Sequence, residues 1–157
     1  MHFHQTNAQS MRQLARFFII SCATLLFAAS VLKMASAFGN MRLLNAADPV
    51  FAFISNRQML ILVASVEVIV CMILIGVKSE FIKLACTAWI STCFVLYRTG
   101  LWILGVRECM CLGNALNWIG IERQSLSRFT GILAVLMMVG SIILLKPHFA
   151  GFKHSSN

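Results

Sequence analysis

The chain has 157 residues, of which 59 % are hydrophobic and only 11 % charged, and its mean hydropathy is +0.83. A water-soluble domain of this size cannot bury that much apolar surface, because small domains keep a large surface-to-volume ratio. The net charge of +8 does not point to nucleic acid: the Lys and Arg residues stand at the ends of apolar runs, with no basic run or interleaved aromatic platform, and read as membrane-interface anchors.

The solvent is therefore the lipid bilayer, which asks for about 20 mostly apolar residues per spanning helix. Residues 1–16 form a polar lead-in. The first predicted span covers about 17–37, "FFIISCATLLFAASVLKMASA", opened by Arg12 and Arg16. Its basic start, apolar core and Ala35-Ser36-Ala37 also resemble a cleavable signal peptide. The apolar stretch is longer than a usual signal core, and Lys33 interrupts it before the cleavage point, so a retained span is expected. The connection over 38–58 carries turn signals in Asp48-Pro49 and Asn56.

The second span covers about 59–77, "MLILVASVEVIVCMILIGV", between Arg57 and Lys78. Only residues 78–83 separate it from the third, about 84–105, so these two are expected to be antiparallel neighbours. The connection over 106–128 holds Cys109, Cys111 and Gly113, then an apolar patch at 116–121 whose Trp118 suits the interface. The fourth span, about 129–145, is short and stops at Lys146-Pro147; 149–157 is a polar tail. The expected fold is all-α: an integral-membrane antiparallel four-helix bundle in one domain over 17–148. Both long connections lie on one face and both termini on the other. The charge rule for orientation is silent here. Arg12, Arg16, Lys78, Lys83, Lys146 and Lys153 on the terminal face balance Lys33, Arg42, Arg57, Arg107, Arg123 and Arg128 on the other.

Two charged residues fall well inside spans. Glu67 sits at the midpoint of the second, where a carboxylate costs several kcal/mol unless paired or protonated, which makes it a candidate site residue. Arg98 lies in the third, and its depth matches that of Glu67 to within about one helical turn, ~5.4 Å. The two are expected to face each other, with Tyr97 able to supply a hydroxyl. Such a pair could pin two helices together, handle a proton or anchor a quinone head group.

Of the six cysteines, Cys22, Cys71, Cys86 and Cys93 lie within spans and read as small apolar packing residues. Cys86 and Cys93 share a helix face but stand about 10 Å apart along the axis, too far for a disulfide. Cys109 and Cys111 are different, because they lie in a polar connection. A bond between them needs a turn, which Gly113 just downstream can help provide, and the small ring would be strained and readily reduced. Arg107 favours a thiolate and Glu108 opposes it. Zinc would need about four ligands, yet His2, His4, His148 and His154 all lie on the terminal face, so no metal site is expected. Redox exchange and two ordinary loop cysteines both stay open.

Three features resemble the MauE/DoxX-like family of small four-helix membrane proteins, of the methylamine-utilisation MauE type. One is a first helix ending in "VLKMASAFG" with "DPVF" in the loop after it. Another is the second-helix glutamate in "ASVEVIVCMILI". The third is "CMCLGNALNWIG", similar to the family's Cys-x-Cys-Phe-Gly element but with Leu112 at the aromatic position. The resemblance covers most of 17–145, and Glu67, Cys109, Cys111 and Gly113 match family positions; Arg98 rests on depth alone. It implies a DoxX-like fold and a redox-associated protein of the bacterial inner membrane, termini cytoplasmic and cysteine loop periplasmic. MauE is linked to maturing a periplasmic, disulfide-rich amine dehydrogenase subunit, and DoxX-type relatives to quinone-coupled sulfur oxidation.

The resulting expectation is thiol–disulfide exchange between Cys109/Cys111 and a periplasmic partner, with electrons passing to or from the membrane pool. A relay needs a second cysteine pair on the same face, which a partner must supply. The alternative is a non-catalytic membrane subunit or assembly factor of a quinone-linked oxidoreductase complex. No cofactor is fixed by the sequence; a quinone is the candidate.

Overall fold

The computed structural model describes residues 3–39, 42–106 and 123–154, with side chains over 13–39, 44–106 and 128–146. Four helices carry the described chain: α1 (Phe3–Ala37), α2 (Asn56–Gly76), α3 (Glu80–Ile103) and α4 (Arg123–His154). Each contains a stretch long and apolar enough to cross a membrane: Gln13–Ala37, Asn56–Gly76, Glu80–Ile103 and Arg128–Lys146. These match the expected spans to within four residues at every end. The helices themselves run further. α1 extends back through the polar lead-in, and α4 continues past Pro147 to His154. Lys146-Pro147 therefore ends the apolar run but not the helix, at the cost of one backbone hydrogen bond.

Local chemistry sets the inner helix ends. Ser55 caps α2 in a capping box: its hydroxyl accepts from the Gln58 amide at 3.3 Å, and Gln58 Oε1 accepts from the Ser55 amide at 2.9 Å. The two orphan donors of the first turn are thereby satisfied reciprocally. Ser79 caps α3, accepting from the Ile82 amide at 3.5 Å. At the other end of α3, Gly105 takes a left-handed φ of 72°. Its amide bonds Trp102 O at 3.1 Å, and the Val106 amide bonds Leu101 O at 3.0 Å. That is the Schellman arrangement, in which glycine is preferred because it lacks a Cβ.

The inward faces follow a 3–4 residue rhythm. In α1 the buried positions are Ala15, Ile19, Cys22, Leu26, Ser30, Lys33 and Ala37; in α2 they include Leu60, Ala64, Glu67, Cys71 and Leu74. Leu84, Thr87 and Ser91 in α3 and Ala134, Met137, Ser141 and Leu144 in α4 continue the pattern. Phe17, Ile20, Phe27, Ile69, Met72, Ile75, Trp102 and Ile132 are exposed on the outer faces. The inward stripes mix Leu, Ile and Met with small and polar residues, and in lipid the small ones let helix backbones approach closely where a hydrophobic driving force is missing. Buried hydroxyls of α3 bond back along their own helix, Thr87 to Lys83 O at 3.0 Å and Ser91 to Thr87 O at 2.7 Å.

α1 packs along α2 and α3 along α4, while contact between these two pairs is sparser. At one end Arg16 of α1 reaches Glu80 of α3 at 3.5 Å. At the other end Arg57 of α2 donates to Gly39 O, just past the end of α1, at 3.1 Å. Arg16 and Lys78 were both expected on the terminal face, and the Arg16–Glu80 contact joins those ends of α1 and α3.

α4 meets α1 through Gly140. A Cβ there would lie 2.6 Å from Phe18 Cε2, closer than packed carbon atoms tolerate. Gly140→Leu should therefore lower the thermal stability of the detergent-solubilised protein by roughly 1–3 kcal/mol, the usual cost of overpacking. Phe18→Ala in the same chain should return part of it. Equal melting of Gly140→Leu and wild type would show that this contact does not hold α4 to α1.

Candidate functional site

A cavity of about 550 Å³ lies between the two helix pairs, lined by all four helices and the α1–α2 connection. That size falls within the ~300–1,000 Å³ typical of small-molecule pockets. Most of its wall is apolar, including Leu26, Val66, Ile90, Phe94, Leu133 and Met137. Into this wall the fold sets three polar groups.

The innermost is an ion pair. Lys33 Nζ donates to Glu67 Oε1, joining α1 to α2, and both residues are buried, at 5 % and 0 % relative exposure. Lys33 Nζ also lies 5.2 Å from the centre of the Phe94 ring, so the ammonium meets an aromatic face from α3 as well. The second carboxylate oxygen, Glu67 Oε2, is buried and has no hydrogen-bond partner among the described residues.

The second group closes the cavity where the α1–α2 connection crosses it. Asp48 is buried, and its Oδ1 accepts from the Val50 and Phe51 amides, both at 2.9 Å. Its Oδ2 accepts from the Tyr97 hydroxyl at 2.7 Å. The Phe51 ring stacks on Tyr97, with centroids 6.4 Å apart and planes at 5°. Backbone bonds from Asp48 N to Ile54 O at 2.8 Å and from Asn56 N to Ala46 O at 2.9 Å fold the connection back on itself. The Asp48-Pro49 turn is present as expected, but its carboxylate also ties the loop to α3.

The third group is Arg98, whose Nη1 donates to Thr130 Oγ1 at 2.9 Å, joining α3 to α4. Gly131 makes room for this side chain, since a Cβ there would sit 2.9 Å from Arg98 Nε. The expected Glu67–Arg98 pair is thus not formed. Both residues line the same cavity, but α2 packs mainly along α1 and Lys33 takes the carboxylate first. Matched depth along two helices says nothing about which way each side chain faces. Tyr97 likewise serves Asp48 and not the Glu67 carboxylate.

Lys33 and Asp48 are the residues that the sequence reading missed. Lys33 lies four residues from the end of its apolar run, where a lysine usually reaches outward to the interface. The available signal was its register, since it falls on the inward stripe with Cys22, Leu26 and Ser30. Asp48 was hidden behind its Pro49 turn signature. Cys22 and Cys71 are buried and Cys86 packs against the same core cluster, as expected. Cys71 also donates to Ala23 O at 3.4 Å. Cys93 differs, being exposed and part of the cavity wall. Cys109, Cys111, Gly113 and Trp118 lie outside the described residues.

Two outcomes follow from this geometry. Glu67→Leu alone should cost roughly 3–5 kcal/mol, because it strands a buried ammonium, whereas Lys33→Met with Glu67→Leu should melt within about 1–2 kcal/mol of wild type. Thermal unfolding of the three proteins in one detergent measures both; single and double variants that melt together would mean that Lys33 does not depend on Glu67. Asp48→Ala should speed hydrogen exchange of the Val50 and Phe51 amides by roughly tenfold or more, the loss of a bond to a charged acceptor. Unchanged exchange at both amides would show that the carboxylate does not hold the loop.

Compared with protein-family models, characterised proteins and solved structures, the chain finds no match.

Proposed function

We propose that the protein is a multi-pass membrane protein of the MauE/DoxX-like, redox-associated kind. In this reading its helices form an antiparallel bundle in a bacterial inner membrane, with termini cytoplasmic and the α3–α4 connection periplasmic. Its task is thiol–disulfide exchange through Cys109 and Cys111, supporting oxidation or maturation of a periplasmic partner. As the S–S bond between Cys109 and Cys111 forms, two electrons and two protons leave the thiols; a quinone is the class of lipid-soluble acceptor that balances them. The oxidised pair then passes its disulfide to a partner dithiol and returns to two thiols.

The observation that carries this reading is the cavity between the helix pairs with its buried Lys33–Glu67 pair. Ionisable residues at membrane depth mark substrate or proton pathways more often than simple packing, and here they face an apolar chamber large enough for a quinone head group. The chamber's Tyr97 and Arg98 stand in the last two turns of α3, the helix that leads in sequence to the two thiols. Gly113 lies two residues beyond Cys111 in the sequence, and glycine suits the turn that such a bond requires.

Cys109→Ser with Cys111→Ser should abolish partner maturation in the native host while leaving the protein in the membrane. Cys111→Ser alone should leave Cys109 able to trap a mixed disulfide, visible as a band that reductant removes. Normal maturation with both thiols gone would defeat the exchange reading and leave a non-catalytic membrane subunit or assembly factor of a quinone-linked complex.

A further inference from the structure

The hydrogen-bond inventory of the buried ion pair is incomplete in a specific way. Glu67 Oε1 is taken by Lys33, but Oε2 has no partner among the described residues, on a residue that is fully buried and lines the cavity. A buried carboxylate oxygen left unpaired costs about 1–3 kcal/mol or more, so the site is built around an acceptor that lacks its donor. Lys33 is the complement. An ammonium carries three N–H donors; Glu67 engages one, and Lys33 also lines the cavity. An acceptor from Glu67 and a donor from Lys33 are thus presented side by side in an otherwise apolar wall.

The entrance defines the rest of the occupant. Among the lining residues, Leu62 of α2 and Trp89 and Leu96 of α3 are exposed on the outer surface, at 54 %, 60 % and 66 %. They stand on α2 and α3, two helices that pack against each other far less closely than α1 on α2. In a membrane these side chains meet hydrocarbon. A polar solute would have to cross that layer to enter, whereas a molecule already dissolved in the bilayer would not.

We propose that the Lys33–Glu67 pair is a two-point seat for a neutral lipid-soluble molecule whose head carries a hydroxyl beside a second oxygen. The hydroxyl donates to Glu67 Oε2, and Lys33 Nζ donates to the neighbouring oxygen. The apolar tail runs past Leu62, Trp89 and Leu96 into the bilayer. This deepens the redox reading, on which it rests for the choice of probe: a ubiquinol-type quinol, with a methoxy oxygen ortho to a hydroxyl, has such a head, so the seat holds the reduced carrier by its hydroxyl.

The test compares decylubiquinol with its di-O-methyl ether, which keeps the ring and tail but cannot donate. Whole protein in mild detergent is incubated anaerobically with each probe, captured, and the bound probe extracted and quantified by chromatography. Wild type should bind the quinol at least ~10-fold more tightly than the ether, the effect of one hydrogen bond to a charged acceptor. Lys33→Met with Glu67→Leu, checked by thermal unfolding to be folded, should lose that preference. Equal binding of the two probes by wild type, or a preference that survives in the double variant, overturns the seat while leaving thiol exchange standing. Binding of neither probe also overturns the seat, and leaves the oxidised quinone of the exchange reading, which neither probe represents, untouched. Failure of the Cys109/Cys111 test alone removes the exchange reading and not the seat.

Discussion

The architecture turns on one interaction, the ion pair between Lys33 and Glu67. Taking two charges out of water carries a penalty of several kcal/mol for each ion, which mutual attraction offsets only when the geometry is good and the remaining polar atoms are satisfied. That constraint fixes α1 against α2 more strictly than apolar packing can, because lipid solvates Leu and Ile faces as well as a neighbouring helix does. A charge that must find its counter-ion at one depth and one rotation sets how α1 lies on α2. Arg98 with Thr130 joins α3 to α4 by a hydrogen bond. Between the two pairs the described polar links are Tyr97 with Asp48 at the edge of the cavity and Arg16 with Glu80 at one end of the helices. The chamber therefore lies between two separately pinned units.

The spans were legible because hydrocarbon thickness imposes a length and an apolar composition that Phe17, Leu60, Ile90 and Ile132 satisfy in their segments. Helix ends were less so. The polar residues before Arg12 and those after Pro147 continue the helical backbone without an apolar signature to announce it. The partner of Glu67 was harder still. Depth is a one-dimensional coordinate read by counting residues, and it brought Arg98 only to the wall of the same cavity. Rotation about the helix axis decides contact, and it is written in the alternation of small and bulky side chains: Cys22, Ser30 and Lys33 share a stripe, and Phe27 and Val31 lie off it. Reading that stripe first would have placed Lys33 inside.

Asp48 shows a different kind of concealment. An aspartate before proline serves a turn well, and that local role accounted for it fully at sequence level. The structure gives the same carboxylate two tasks, with one oxygen holding the turn and the other accepting from Tyr97. The second task depends on a residue 49 positions later in the chain, and no local pattern encodes it. The thiol pair is legible only as chemistry: two sulfurs, a glycine and flanking charges of opposite sign.

The exposed rim formed by Leu62, Trp89 and Leu96 changes what concentration means for this protein. A site entered from water sees a solute in three dimensions, diluted by the whole compartment. A chamber entered through its side sees the bilayer as a two-dimensional reservoir in which any strongly apolar molecule is already concentrated. Most of the free energy that removes such a molecule from water is then supplied by the membrane before the protein is reached. What the protein adds is discrimination among solutes that are all equally at home in lipid, and a single pair of polar side chains is enough for that.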